Sequence, residues 1–138
     1  MQDGRGLFDS TILWNHQEWG VDEVITKLIA EKKIKECIVV GIWNNEKFRH
    51  NEYMPQKPFG YLSKLQQEKI YDTKRENGQL IYGEHRINAD AYLKFIVKEL
   101  KPFIDRSYST DKGQENTFIA GSSMGGLICS ASAMLGCS

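Results

Sequence analysis

The chain has 138 residues, the length of one ordinary domain with a single hydrophobic core. Its 18 basic and 18 acidic residues balance, which excludes a global field drawing it to nucleic acid or to an anionic membrane surface. No run approaches the roughly 20 apolar residues that span a bilayer, and Met1-Gln2-Asp3-Gly4-Arg5 has no apolar stretch of the export-signal kind behind it, so the compartment stays open.

In chain order, the first periodic segment is Val21 to Lys33. Val21, Val24, Ile25, Leu28 and Ile29 recur at helical spacing, and Asp22 and Glu23 stand in the first turn, where the helix dipole favours anions. An amphipathic helix is predicted there. Cys37-Ile38-Val39-Val40-Gly41-Ile42-Trp43 is a continuous β-branched run without polar alternation, the pattern of a strand buried on both faces. Residues 44–87 are rich in charge and tyrosine, and read as a long loop on the substrate side of a sheet, with a plain solvated insertion as the alternative. Asn88 caps a second predicted helix with the stripe Ala89, Tyr92, Leu93, Ile96, Val97 and Leu100, ending or kinking near Lys101 because Pro102 has no N–H to donate. A second buried strand is read at Thr117 to Ala120, and a third helix after Ser123. Strand, helix, strand and helix in that order predict a mainly parallel α/β sheet in a single domain over residues 1–138.

The three cysteines, Cys37, Cys129 and Cys137, are odd in number and lack metal-type spacing, so they read as buried small hydrophobes. His16, His50 and His85 lie far apart, and neither a metal nor a cofactor is expected.

The turn Gly121-Ser122-Ser123-Met124-Gly125 carries the chemistry. It fits G-x-S-x-G, with an apolar run before it and a small-residue segment after it, the strand-to-helix setting that this motif requires. A phosphate loop needs a lysine after the glycines and a dinucleotide loop needs G-x-G-x-x-G; neither is present. A Gly/Ser turn without chemistry is the bland alternative. As a nucleophile, Ser123 needs a base and an oxyanion hole. The Met124 N–H offers one donor, and the loop Met1 to Gly6 offers a second through the Arg5 N–H.

The segments MQDGRGLFD, WGVDEVITKLI, IVVGIWNN, RHNEYMP, FIVKELKPFID and NTFIAGSSMGG, taken together, resemble an esterase family of the α/β-hydrolase superfamily. That family includes enterochelin esterases, feruloyl and acetyl-xylan esterases, and mycolyltransferases. The resemblance implies an α/β-hydrolase three-layer sandwich with a mainly parallel sheet, here incomplete, with N-terminal strands and the C-terminal acid and histidine part missing. It implies that Ser123 is the nucleophile, that Met124 and Arg5 form the oxyanion hole, that Asp3 edges that loop, and that Arg49, Glu52 and Tyr53 lie beside the pocket. An Arg–Glu pair bracing a loop explains the last group as well. His50 is the one substitute base among the histidines present.

The substrate class implied is an acyl ester of a sugar or of an aromatic or siderophore-like acid, hydrolysed through an acyl-enzyme. Residues after Ser123 contain no Asp, Glu or His, so the triad partners are absent from their usual positions. The alternative is therefore a truncated, catalytically inactive hydrolase fragment acting as a binding or assembly module. Unpaired strand edges in such a piece would favour self-association.

Overall fold

A computed structural model describes residues 1–12 and 16–134. They form two compact units, residues 1–44 and 45–138.

Unit 1 is organised by its first six residues. The Met1 ammonium donates to the Val40 carbonyl at 2.6 Å, the Ile42 N–H to Met1 O at 2.9 Å and the Gly4 N–H to Ile42 O at 2.8 Å. These bonds surround a parallel bridge between Gln2 and Ile42, and both Gln2 and Leu7 are buried. A Cβ on Gly4 would collide with the Gly41 backbone, so glycine is required for the two segments to touch. Residues Gly4–Gly6 form a 3₁₀ turn, and a second such turn spans Ser10–Ile12. The helix α1, Val21–Ala30, starts where expected, with Asp22 and Glu23 in its first turn. Its apolar stripe is not a buried one, since no α1 residue is buried.

Unit 2 holds the remaining helices: α2 (Arg49–Tyr53), α3 (Gln56–Gly60), α4 (Lys64–Tyr71), α5 (Ala89–Phe95), α6 (Lys101–Ser107) and α7 (Met124–Met134). The predicted long loop at 44–87 is thus largely folded. A capping box between Ser63 and Gln66 opens α4, satisfying orphan amides at its start. After α4 the chain reverses through an antiparallel bridge between Lys74 and Leu80, with Gly78 at φ 80° in the turn. Phe59, Tyr82 and Ile87 form a core with Met54, Leu62, Ile70, Tyr71 and Ile81 around it.

Asn51 ties α2 to this core. Its Nδ2 donates to the carbonyls of Tyr82 (3.2 Å), His85 (2.9 Å) and Arg86 (3.3 Å), and the Asn51 backbone carbonyl accepts from the Asn88 N–H at 2.9 Å. The side chain is almost wholly enclosed, at 1% exposure. Tyr53, also on α2, packs its ring 5.4 Å from that of Tyr92 on α5.

Helix α5 begins after Asn88 as predicted and buries Ala89, Tyr92 and Leu93. Ile96, Val97 and Leu100, expected on the same buried stripe, are only half-buried. The break expected near Pro102 takes another form. Residues Ile96–Leu100 make a π turn in which the Lys101 N–H reaches Ile96 O, and α6 continues beyond it with Pro102 in its first turn. Pro102, which has no N–H to give to the ladder, stands just after this π turn, where the hydrogen-bond register has already shifted.

The sheet is where expectation fails. Among the described residues there are helices and two isolated bridges but no strand, so the α/β-hydrolase three-layer sandwich with a mainly parallel sheet is overturned. A β-branched run becomes a strand only when a neighbour completes its amide ladder. Residues 37–43 have only the short Met1–Gly4 segment beside them, and residues 118–120 make no backbone hydrogen bond among the described residues. Neither run is buried on both faces: Phe118 is 88% exposed and Ile38 49%. Cys37 is exposed and Cys129 half-buried, so the expectation of buried cysteines fails for Cys37; Cys137 lies outside the described residues. Among the described residues no helix is long and apolar enough to cross a membrane.

Replacing Asn51 by Ala leaves the His85 and Arg86 carbonyls without this donor, while the Tyr82 carbonyl keeps the His85 N–H. With each buried hydrogen bond contributing about 1 kcal/mol net and an orphaned acceptor costing more, the expected loss is about 2–4 kcal/mol. Urea denaturation of Asn51→Ala checks it, and a shift below about 0.5 kcal/mol contradicts the clamp.

Candidate active site

Gly121 to Ser123 turn the chain from the extended 117–120 run into α7. Ser123 is exposed and lies at φ 52°, in the left-handed region that an L-residue other than glycine enters only with strain. Its carbonyl accepts from the N–H groups of Gly126 (3.0 Å) and Leu127 (3.1 Å), so Ser123 sits at the head of the helix with its side chain outside the ladder. Gly121 makes the turn feasible: a Cβ there would meet the backbone of Gly125, itself buried. The two glycines of G-x-S-x-G are therefore a close-packed pair, and this part of the motif's physical rationale is met locally.

On the same unit, Arg49 brings α2 to α7. Its Nη1 lies 3.4 Å from the Met124 sulfur, a weak acceptor, and its guanidinium stands 5.2 Å from the centre of the Tyr53 ring. Three of the expected site residues, Arg49, Tyr53 and Met124, are thus linked through Arg49, and Met124 is the neighbour of Ser123 in the chain. Glu52, a fourth, has its carboxyl pushed above the ordinary value by burial alone, with no cation contributing. That is not the signature of an Arg–Glu brace.

His50 packs edge-on against Tyr82, ring centres 6.2 Å apart. Burial pushes its pKa below the ordinary histidine value, and the positive charges of Arg75 and Arg49 push it further in the same direction. The imidazole is therefore neutral at pH 7 and able to accept a proton. Among the described residues, no hydrogen bond joins the His50 ring to the Ser123 hydroxyl.

Asp3 and Arg5 stand together on unit 1. Asp3, at φ 54°, precedes the 3₁₀ turn and accepts a hydrogen bond from Asn44 Nδ2 at 2.6 Å. Arg5 lies in that turn with its guanidinium 6.0 Å from the centre of the Trp43 ring. Two positions named from the sequence, Asp3 and Ser123, are thus among the four non-glycine residues described with positive φ. Strain of this kind concentrates at functional positions. Sequence reading missed Asn51, whose signal is only an amide residue inside RHNEYMP, and Trp43, read as the end of a buried strand although it is 65% exposed. Among the described residues there is no group of three metal-binding side chains.

Ser123 thus stands exposed on a strained turn at the start of a helix, without, among the described residues, the preceding strand that the G-x-S-x-G setting requires. The esterases are the class to which the whole-chain comparison leads. A family model described as "Esterase: Putative esterase" matches residues 2–134, nearly the whole chain, and the chain belongs to that family. No match was found among curated proteins or solved structures.

Because folding favours the neutral imidazole, the unfolded chain binds the His50 proton more tightly. This contribution to stability is complete above the ordinary pKa near 6.5 and is lost as pH falls towards the lower folded value. An NMR titration of the imidazole resonances should place the His50 midpoint below 6.5, and Arg75→Gln should raise it. A midpoint at or above the ordinary value contradicts this electrostatic picture.

Proposed function

We propose that the protein is a serine carboxylic-ester hydrolase with Ser123 as nucleophile. The observation that carries the reading is the left-handed backbone of Ser123 between the close-packed Gly121 and Gly125, at the head of α7. In the reaction, Ser123 Oγ attacks the acyl carbon as its proton passes to an imidazole. The ester C–O bond then breaks, the alcohol leaves with that proton, and water hydrolyses the acyl-enzyme. The backbone N–H of Met124 is an oxyanion donor, and Arg49, Glu52 and Tyr53 border the substrate. His50, held neutral, is the candidate base. The substrates are acyl esters of sugars or of aromatic or siderophore-like acids.

One observation favours a second reading, a catalytically inactive hydrolase module: the described residues place no base in hydrogen-bond contact with Ser123 Oγ. Stopped-flow mixing with p-nitrophenyl acetate separates the two. The hydrolase reading predicts a burst approaching one equivalent of p-nitrophenol that vanishes in Ser123→Ala. Absence of a burst, or one unchanged by the substitution, supports the inactive module.

A further inference from the structure

Residues 117–120 of unit 2 are all exposed, and the run is held at both ends. At its start the Thr117 N–H donates to Gln114 O at 3.1 Å and the Thr117 hydroxyl to Gly113 O at 3.0 Å, with Thr117 itself in extended backbone. At its end the close Gly121–Gly125 contact leads into α7. Between these points the backbone groups of Phe118, Ile119 and Ala120 make no hydrogen bond among the described residues. Phe118 is 88% exposed and Ile119 39%.

Native proteins blunt such an edge with charged side chains or proline. Neither is used here: from Asn116 to Ser138 the sequence has no charged residue and no proline. We propose that residues 117–120 are a docking edge for a second copy of this chain, the two runs pairing antiparallel about a twofold axis at Phe118. An isologous contact requires an edge that complements itself, and a neutral run meets its own copy without like-charge repulsion. Antiparallel pairing brings the same edge of both copies together and closes as a dimer. Parallel pairing would set opposite edges together and run on as an open array. With the axis at Phe118, the two phenyl rings stand opposite each other on one face of the ribbon, a favourable cross-strand combination. On the other face Thr117 of each copy stands opposite Ile119 of the other, both β-branched. The ladder is short, so the dimer is weak and concentration-dependent. Little ordering opposes it, because the run is already held at both ends. The proposal does not depend on the ester-hydrolase reading. Its consequence for the site is a strand directly before Gly121, the setting that G-x-S-x-G requires.

Sedimentation equilibrium of the full chain over a concentration series tests the pairing. The expected result is a reversible monomer–dimer equilibrium that goes no further. Phe118→Lys and Phe118→Glu should each weaken dimerisation at least tenfold, because two like charges then face each other. An equimolar mixture of the two variants should restore it. Phe118 is exposed, so both variants keep the folded unit, which circular dichroism checks. A chain still monomeric at millimolar concentration, species that grow without limit, dimerisation unchanged in Phe118→Lys, or a mixture no better than its components would each overturn the proposal. The readout needs no turnover: a serine-dependent burst from a monomeric chain sinks this proposal alone, and a dimer without a burst sinks the hydrolase reading alone.

Discussion

A primary amide has two N–H groups, and in unit 2 the amide of Asn51 holds three backbone carbonyls with them. The rest of that unit depends on this clamp. It fixes α2 to residues 82–86, and the adjoining Ile87 N–H is in turn held by the Tyr71 hydroxyl at 3.2 Å, which ties the same loop to α4. From the other side of α2, Arg49 reaches Met124, the first residue of α7. A buried, fully occupied amide donor is expensive to lose, so the position of α2 is set sharply. One side chain thereby sets where Arg49 and Tyr53 stand.

The second constraint is steric. In each unit a glycine sits against another glycine's backbone where no Cβ would fit: Gly4 on Gly41, and Gly121 on Gly125. Beside each contact a polar residue is forced to positive φ, Asp3 at 54° and Ser123 at 52°. The strain costs on the order of 1–3 kcal/mol at each position and persists only because the surroundings over-determine it. For Ser123 the return is a hydroxyl facing solvent at the start of a helix, where unsatisfied N–H groups favour developing negative charge. The electrostatics of α2 run in the same direction, with His50 kept neutral and Glu52 raised above its ordinary value.

Local signals in the sequence carried far. The acidic first turn at Val21, the helix start after Asn88 and the turn at Gly121 to Ser123 appear at their expected positions, because propensity and glycine sterics act over a few residues, although the Asn88 side chain makes no cap hydrogen bond. Properties that need a partner were not legible. The runs 37–43 and 117–120 have strand composition, yet a strand is a relation between two segments and the composition of one does not supply the other. Residues 44–87 looked like a loop because their helices are short and their core aromatic, although the Ser63–Gln66 capping pair was there to be seen. The Asn51 clamp was invisible for a different reason: its acceptors are carbonyls, which every residue possesses.

The catalytic reading stands on whether Ser123 is chemically activated. The most direct measurement is intact-mass and peptide mapping of the chain after exposure to a fluorophosphonate. The account predicts a single phosphonyl adduct on Ser123, absent from Ser123→Ala. A chain that circular dichroism shows to be folded but that takes no adduct, or takes it elsewhere, would contradict it.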